Sequence, residues 1–530
     1  MTDAATSIAA VAATDASFDV AVVGGGVNGC GIARDLAGRG ARVVLVEKDD
    51  LAQATSSSST KLIHGGLRYL EHKAFRLVAK ALGERETLLR SAPHIMWPLR
   101  FVMPHDPAMR PAWLIRTGLF LYDHLAKREL LEGSEGIDLA RHPAGAPLKP
   151  GFRRGFVYSD GWVDDARLVV LNAVDAVERG ATVHVRTACV DAARGAEAWT
   201  LRLEGEDGPR TVRARALVNA AGPWAARFLG EQAHLGGSTR SLRLVRGSHI
   251  VVRRLFDHPF AYIFQNPDGR IVFAIPYEQD FTLIGTTDVE HKGSLADVRI
   301  SNEETAYLCE QVSRWLAKPV TPADVVWTYS GVRPLLDDES GNLAAVTRDY
   351  RLELDTANGA PLLSVWGGKI TTFRKLAEEA ADRIAPVLDR TRLSGPWTAT
   401  ATLPGGDLRE ALGAHAPASA DPAALFDAYA ARLAARHGGI EPALVRRLAR
   451  AYGTRAETLL AGGLGAAVAP GVHEAELRHL RDHEWARTGD DVLWRRSKLG
   501  LHLDAPARAA VAGWMAHCLA PATPATETLP

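Results

Sequence analysis

The sequence predicts an α/β protein: a dinucleotide-binding βαβ unit opens the chain, a β-rich part follows and a helical domain ends it. Three observations support this prediction. Apolar runs at 19–23 and 42–46 flank a glycine loop and a helix-like stretch. Short apolar runs separated by turn-forming residues fill 248–285. After Pro404-Gly405-Gly406 the composition changes, and Ala, Leu and Arg recur at helical spacing.

Composition excludes several classes of protein. The 530 residues include 62 Lys plus Arg and 62 Asp plus Glu, so the formal charge is zero and no general nucleic-acid affinity is expected. The four cysteines lie far apart, at Cys30, Cys189, Cys309 and Cys518, which argues against a disulfide framework and a zinc site. We therefore predict no metal.

The two ends of the chain are predicted to be disordered tails, at 1–17 and 519–530. Residues 1–17 lack Lys and Arg, unlike a secretory signal. No apolar run reaches ~18 residues, the length that a spanning helix needs. These observations predict a protein on the cytoplasmic side of the membrane.

The glycine loop carries the pattern GxGxxG as Gly24, Gly26 and Gly29, between a strand and a helix that ends before Gly40. Glycines let the backbone approach a pyrophosphate, which the helix N-terminus also attracts. Glu47 follows the second strand, 18 residues after Gly29, where a carboxylate accepts hydrogen bonds from a ribose 2′-OH. At this point FAD and NAD both remain open.

Further elements are predicted in chain order. Residues 55–60 (TSSSST) have the composition of a flexible connector. A helix is expected over 74–91, and strands over 248–252, 271–275 and 281–285, with a hairpin turn at 266–269. A buried strand at 362–366 precedes a helix over 370–387, which Thr371 or Thr372 is expected to cap.

Two later features favour FAD over NAD. The run 216–224 (ALVNAAGPW) reads as a strand entering a turn of small residues, where a second backbone segment can approach the dinucleotide. Gly367-Gly368-Lys369 precedes a late helix, whose N-terminal dipole would stabilise the negative charge of a reduced flavin.

A polar loop and several cations suggest a substrate site. His64 lies between Thr60 and Tyr69 beside two glycines, where it is a candidate base near neutral pH. If Arg333, Arg348 and Lys369 converge with Arg68, the site suits a phosphate dianion, because guanidinium groups bind phosphate in a bidentate way.

Long motifs resemble the FAD-dependent sn-glycerol-3-phosphate dehydrogenases of the aerobic respiratory type in bacteria. They include VVGGGVNGCGIARDLAGRG, TSSSSTKLIHGGLRYLEH, LVNAAGPW, IGTTD, WTYSGVRPLLDDES and WGGKITTFRKLAE, and the match extends over about 18–515. The resemblance implies a glutathione-reductase-like (Rossmann-type) FAD-binding domain, an antiparallel β-rich substrate domain and an all-α C-terminal domain. It places FAD-binding parts at 18–92, 155–240 and 330–390, substrate parts at 93–154 and 241–329, all within an oxidoreductase domain over 18–400, and the helical domain at 401–518.

The resemblance also implies an activity and a site. The expected reaction is oxidation of sn-glycerol 3-phosphate to dihydroxyacetone phosphate by hydride transfer from C2 to FAD N5, with electrons passed to membrane quinone. His64, Arg333 and Lys369 are the expected catalytic residues, and the expected substrate-binding residues are Arg68, Tyr69, Thr287 and Arg348. Thr286 is expected beside Thr287, near the cofactor. The expected cofactor-binding residues are Gly24, Gly26, Asn28, Gly29, Glu47, Thr55, Ser56, Ser57, Gly65, Gly66, Gly222, Trp224, Gly367, Gly368 and Thr371.

A membrane-surface enzyme needs a contact face, and residues 110–128 combine bulky apolar side chains with basic flanks. The alternative for this stretch is a core helix with solvated ends. The resemblance implies peripheral attachment to lipids on the cytoplasmic face of the inner membrane, and it leaves a homodimer open. The alternative activities are a glycerol-3-phosphate oxidase that gives H2O2, an amine-oxidising relative, and a flavin-carrying scaffold without turnover.

Overall fold

The computed structural model describes residues 16–71, 73–108, 110–235, 242–336, 349–388 and 393–519. The strands are β1 Ala16–Val23, β2 Val43–Val46, β3 Leu62–Ile63, β4 Met96–Pro104, β5 Glu135–Asp138, β6 Arg154–Val163, β7 Thr182–His184, β8 Thr187–Arg194, β9 Trp199–Gly205, β10 Gly208–Asn219, β11 Leu242–Arg253, β12 Ala261–Gln265, β13 Ile271–Tyr277, β14 Phe281–Gly285, β15 Val289–Glu290, β16 Val325–Leu336, β17 Arg351–Asp355, β18 Leu362–Trp366, β19 Ala467–Ala469 and β20 Val472–His473.

The helices alternate with these strands and then dominate the last quarter of the chain. They are α1 Val27–Gly38, α2 Phe75–Ser91, α3 Ala112–His124, α4 Asp165–Glu178, α5 Ala225–Glu231, α6 Asn302–Ser313, α7 Phe373–Leu388, α8 Leu408–Leu412, α9 Pro422–Arg436, α10 Pro442–Tyr452, α11 Ala456–Ala461, α12 Glu474–His483 and α13 Ala505–Leu519. None of the helices in the described ranges is both long and apolar enough to cross a membrane.

The first sheet has β1 near its middle, in the strand order β17-β18-β10-β1-β2-β7, with β9 and β8 continuing from β10. β1 pairs in parallel with β2 on one side and with β10 on the other. The chain therefore changes direction across the sheet at β1. In such sheets the crevice at the carboxyl ends of the strands beside this switch point is where ligands bind.

Both faces of the first sheet are covered, which is why its central strands are continuously apolar. Val20 and Val22 of β1 share one core with α1, α4 and α7. Ala21 and Val23 point to the other face, where they share a core with Phe228 of α5 and with strands β8 and β9. The alternation follows from the two-residue side-chain period of a strand.

The second sheet has the order β15-β11-β14-β13-β12-β4-β6-β3, with β16 paired to β11 and β5 to β6. Its pairs are antiparallel except the parallel contact of β4 with β12. β3, β6 and the end of β16 belong to this sheet. The resemblance places the same residues in the expected FAD-binding parts. β6 pairs with β4 without interruption from residue 155 to residue 163.

The C-terminal part packs around its own apolar core, which runs from Leu408 to Met515. Its helical character agrees with the prediction, but β19 and β20 form a small antiparallel hairpin that the helical pattern did not reveal. At the other end, β1 begins at Ala16, so Ala16 and Ser17 belong to a strand and not to the predicted tail. Leu519 likewise ends α13, and the rest of both predicted tails lies outside the described residues.

Candidate active site

The glycine loop lies at the switch point, and its glycines are required by backbone contacts. A Cβ atom on Gly24 would lie 2.4 Å from the carbonyl oxygen of Ala220, at the end of β10. A Cβ atom on Gly29 would lie 1.9 Å from the carbonyl oxygen of Gly24. Gly24 also has a φ of +115°, which side chains disfavour. β1, α1 and β10 therefore meet backbone to backbone.

The N-terminus of α1 is built to receive an anionic group. Gly26, the residue before the helix, has no side chain that could cap the helix, and the unpaired N–H groups of the first turn make this end electropositive. Ser56 Oγ accepts a hydrogen bond from the Val27 N–H at 3.0 Å. The serine run 55–60 is thus ordered beside the glycine loop and is not a flexible connector.

Asn28 joins this loop to the late turn. Its Nδ2 donates to the carbonyl oxygen of Gly367 at 3.1 Å, and a Cβ atom on Gly368 would lie 2.9 Å from the same nitrogen. Asn28 Oδ1 is buried and has no hydrogen-bond partner in the described part of the chain. Buried polar atoms normally have a hydrogen-bond partner. An unpartnered acceptor beside Gly367 and Gly368 therefore fits a site where a bound dinucleotide supplies the missing donor.

Glu47 lies at the end of β2, as predicted. Its carboxylate accepts hydrogen bonds from the Gly25 N–H at 2.6 Å and from the Asp49 N–H at 2.8 Å. Burial raises the pKa of Glu47. A carboxylate has about four acceptor positions, so this group keeps capacity for a ribose hydroxyl. Nearby, Gly222 has a φ of +55° and the Trp224 ring stacks under Lys48 Nζ at 4.7 Å.

A second cluster surrounds His64. Its backbone N–H donates to Thr371 Oγ1 at 3.2 Å, so the hydroxyl of Thr371 joins two loops and does not cap the late helix as expected. Thr371 and Thr372 instead lie in a 3₁₀ turn that precedes α7. Lys369 Nζ lies 3.8 Å from the centre of the Tyr69 ring, in cation–π contact.

The loop after His64 is clamped by two helices. The Gly65 N–H donates to the Tyr122 hydroxyl at 2.7 Å, and that hydroxyl donates to buried Asp160 at 2.7 Å. A Cβ atom on Gly65 would lie 2.5 Å from Leu82 of α2. Gly66 adopts a φ of +75° directly under the Tyr69 ring. The segment that bears His64 is therefore rigidly held.

Arg333 forms a third cluster. Its guanidinium makes an ion pair with Asp288 and donates to Thr286 Oγ1 at 3.2 Å. Thr287, predicted to bind substrate, is buried, and its hydroxyl donates to Glu304 at 2.7 Å and accepts from the Ser248 N–H at 3.0 Å. The hydroxyl that reaches the predicted site is thus that of Thr286, because adjacent residues face opposite sides of the backbone.

The clusters adjoin one another. Thr55 Oγ1 donates to the carbonyl oxygen of Val332 at 2.6 Å, next to Arg333. A Cβ atom on Gly367 would lie 3.6 Å from the carbonyl oxygen of Pro334. The turn that bears Lys369 and the strand that bears Arg333 therefore meet beside the serine run and the glycine loop. The order of these residues in the sequence left this convergence open.

Other predicted residues are less constrained. Ser57 lies in the same 3₁₀ turn as Thr55, and its carbonyl oxygen accepts from Lys61 Nζ at 3.1 Å. Arg68 lies partly exposed in the turn Leu67–Leu70 that follows Gly66. Arg348 lies outside the described residues. No group of three or more His, Cys, Asp or Glu side chains within the described ranges is arranged to hold a metal ion.

Two buried polar contacts lie behind the site and were not predicted from the sequence. Lys61 Nζ pairs with Asp165 at 2.7 Å, and Ser59 Oγ donates to the same carboxylate at 2.7 Å, which fixes the serine run. His249 Nε2 lies 3.0 Å from Thr60 Oγ1, and burial and the charges of Arg333 and Lys61 hold the pKa of His249 well below its usual range. The signal available in the sequence was a pair of acids, 164–165, directly after a strand.

Comparison with known proteins shows which family the chain belongs to. A family model described as FAD dependent oxidoreductase matches residues 19–374, and one described as the C-terminal domain of alpha-glycerophosphate oxidase matches 396–521. A glycerol-3-phosphate dehydrogenase of Pseudomonas aeruginosa is 53% identical over 493 residues, 92% of each chain. This chain belongs to the FAD-dependent glycerol-3-phosphate dehydrogenase family. It is an FAD-dependent oxidoreductase, and FAD is its cofactor.

Two further relatives define the range of the family. A D-erythritol 1-phosphate dehydrogenase of Brucella abortus is 49% identical over 503 residues, covering 94% of this chain and 97% of the relative. The crystal structure of a glycerol-3-phosphate dehydrogenase from Bacillus halodurans in complex with FAD superposes with a TM-score of 0.74 at 26% identity. That superposition covers 94% of this chain and 90% of the other. The family thus includes more than one polyol phosphate substrate.

The glycine contacts predict the effect of a single methyl group. We expect Gly29→Ala to lower the FAD content of the purified protein at least about tenfold, because the new Cβ would clash with the Gly24 carbonyl and displace the helix N-terminus. Flavin absorbance per mole of protein measures this. Gly83→Ala in α2, where a Cβ meets nothing within 4 Å, is the matched control and should retain FAD. Full FAD occupancy in Gly29→Ala would show that the close contact of Gly29 with Gly24 is not needed for cofactor binding.

Proposed function

We propose that this protein oxidises sn-glycerol 3-phosphate to dihydroxyacetone phosphate and passes the electrons to membrane quinone. The proposal is supported by one observation: Arg333, the Lys369–Tyr69 pair and the loop that bears His64 lie together beside the glycine loop. Bound FAD supplies the acceptor for the hydride that leaves C2. The residues around it must hold the phosphate, remove the hydroxyl proton and stabilise the charge on oxygen.

Arg333 is the proposed electrophile. A guanidinium has five N–H donors, more than Asp288 and Thr286 occupy, so it can also donate to the C2 oxygen. Positive charge there stabilises the alkoxide character that develops as the hydride leaves. Asp288 fixes the plane of the guanidinium, and neutral His249 behind it adds no competing charge.

His64 is the proposed base, and the cations around it are the proposed phosphate ligands. Tyr122 and Thr371 accept hydrogen bonds from the backbone of this loop, so the backbone that bears the imidazole is held in one position. A general base needs such a position, because it must lie within hydrogen-bond distance of the proton that it removes. Lys369 and Arg68 lie on the turns that flank the loop and supply charge for a phosphate dianion. We propose Arg348 as a further phosphate ligand on the resemblance alone.

D-Erythritol 1-phosphate is a second candidate substrate. A relative named for this activity is 49% identical to the chain over nearly its whole length, only slightly less than the glycerol-3-phosphate dehydrogenase of P. aeruginosa. Both compounds carry a phosphate ester and a secondary hydroxyl, so the same cations and base would serve either. They differ in chain length, and a site that fits the shorter compound would reject the longer one sterically.

The face of α3 supports the proposed membrane location. Trp113 is 69% exposed and Phe120 53%, and Leu114 and Leu121 are also exposed, whereas Leu119 and Tyr122 are buried. The helix is therefore apolar on its exposed side as well as on its buried side, which suits the interfacial rather than the core interpretation. Of its basic flanks, Arg128 pairs with Asp123, so the apolar side chains are the better test of lipid contact.

The acceptor is proposed to be quinone because an exposed apolar face delivers the enzyme to the membrane where quinone resides. The alternative is oxygen, and the family match of residues 396–521 to an oxidase C-terminal domain keeps it open. Hydrogen peroxide formed per substrate oxidised, with and without a soluble quinone, separates the two. Stoichiometric peroxide in the presence of quinone would favour the oxidase.

Arg333→Ala is expected to slow reduction of the bound FAD by substrate about 10²–10³-fold, because the developing oxyanion loses a preorganised donor. Single-turnover absorbance under anaerobic conditions measures the rate, and the FAD content should stay that of the wild type. Arg253→Ala, an exposed arginine on the neighbouring strand β11, is the control and should react normally. A near-normal rate in Arg333→Ala would overturn the assigned role.

Trp113→Ser combined with Phe120→Ser should weaken partition onto phosphatidylglycerol–phosphatidylcholine vesicles at least about tenfold, since each side chain contributes about 1.5–3 kcal/mol when buried in lipid. Vesicle sedimentation measures the partition. Val177→Ser, at a 41% exposed position on α4, is the control and should bind as the wild type does. Unchanged binding of the double variant would exclude α3 as the contact.

A further inference from the structure

A buried ionic cluster joins the C-terminal domain to the segment that follows β2. Asp50 is fully buried, and Arg496 donates to both of its carboxylate oxygens, at 2.6 and 2.8 Å. Arg495 Nε adds a third hydrogen bond to Asp50 at 2.5 Å. A fully buried carboxylate with three charge-assisted bonds from another domain fixes one geometry, and removing one partner leaves a buried charge uncompensated.

The same segment forms one wall of the glycine loop. The Ala52 N–H donates to the carbonyl oxygen of Gly25 at 3.2 Å, while the Gly25 N–H donates to Glu47 at 2.6 Å. A Cβ atom on Gly25 would lie 2.9 Å from Leu51. Residues 47–53 therefore sit directly against the loop that receives the dinucleotide, and Asp50 lies in the middle of them.

A second layer braces the two arginines. Asp491, also fully buried, accepts from Arg495 and pairs with Arg186 at 2.6 Å. The Arg186 N–H in turn donates to the carbonyl oxygen of Asp49 at 2.9 Å. The ionic cluster thus holds segment 47–53 at two points: the side chain of Asp50 and the backbone carbonyl of Asp49.

We propose that the C-terminal domain holds the cofactor-binding segment 47–53 in place through Asp50, and so sets how tightly FAD is retained. Asp50 acts as a positioning residue, since it contacts the protein and not the cofactor. Without the contacts of Asp50, Glu47 and the glycine loop would be free to move. Binding of FAD would then have to order them, and this cost would weaken FAD binding. This role concerns the retention of FAD and does not depend on which substrate the protein oxidises.

The chain offers a matched control in a second interdomain pair. Arg167 of α4 donates to Glu484 at 2.9 Å, with both side chains buried, and to the carbonyl oxygen of Ala451. This pair joins the same two domains through α4 and not through segment 47–53. Glu484→Gln leaves the main-chain carbonyl of Glu484, which accepts from Arg496, in place.

The experiment compares FAD release from holoenzyme variants, followed as the gain of flavin fluorescence after dilution. We expect Asp50→Asn to release FAD at least about tenfold faster than the wild type, because one partner of a buried cluster is lost and binding losses fall mainly on the dissociation rate. Glu484→Gln should lower the thermal midpoint comparably but release FAD within about twofold of the wild-type rate.

Arg495→Ala keeps the Arg496–Asp50 fork and provides the test if Asp50→Asn does not fold, with an expected acceleration of about threefold. Unchanged FAD release in whichever of these two variants folds would overturn the proposal. Equal acceleration in Glu484→Gln would also overturn it, because the effect would then reflect general loosening of the domains. Since substrate is absent, failure here leaves the proposed reaction untouched.

Discussion

At the carboxyl end of β1 three backbone segments lie so close that no side chain fits between them. Gly24 meets the carbonyl of Ala220 and Gly29 meets the carbonyl of Gly24, so β10 and α1 approach β1 to contact distance. This packing aims the N-terminus of α1 at the crevice between the strands. Every other part of the site is then arranged around it: the serine run beside the helix, and the late glycine turn tied to Asn28.

Buried polar pairs give the site its rigidity. Asp165 fixes the serine run through Lys61 and Ser59, and Tyr122 fixes the loop that bears His64. Such pairs are poor sources of net stability, because desolvation offsets most of their attraction. Their value here is geometric, since each specifies one position for a loop that must lie beside a cofactor. The pairs between Asp50 and the arginines of the C-terminal domain extend the same principle across domains.

Much of this arrangement could be predicted from the sequence because it depends on local pattern. The βαβ unit, the buried strand before Gly367 and three strands of the second sheet, β11, β13 and β14, all follow from period and turn chemistry. The cation at Arg333 and the Gly367–Lys369 turn were predicted as site elements, and the structure brings them together. Resemblance, not spacing, supplied the role of each.

What could not be predicted depends on contacts distant in sequence. The hydroxyl of Thr371 suits a helix cap by pattern, but a loop 307 residues away supplies its partner. Thr287 reads as a site residue, yet buried Glu304 takes its hydroxyl and leaves Thr286 facing Arg333. Tyr122 appears only as one apolar residue in a helix, and nothing local marks its hydroxyl as the anchor of Gly65.

Anaerobic mixing measures whether this FAD site oxidises a small polyol phosphate. The purified protein is mixed with sn-glycerol 3-phosphate, D-erythritol 1-phosphate or glycerol, and flavin absorbance is followed at about 450 nm. We expect rapid bleaching by sn-glycerol 3-phosphate and none by glycerol, which lacks the phosphate. Bleaching by D-erythritol 1-phosphate alone would move the assignment to the second substrate. A flavin that neither phosphate ester reduces would show that this site does not oxidise a polyol phosphate.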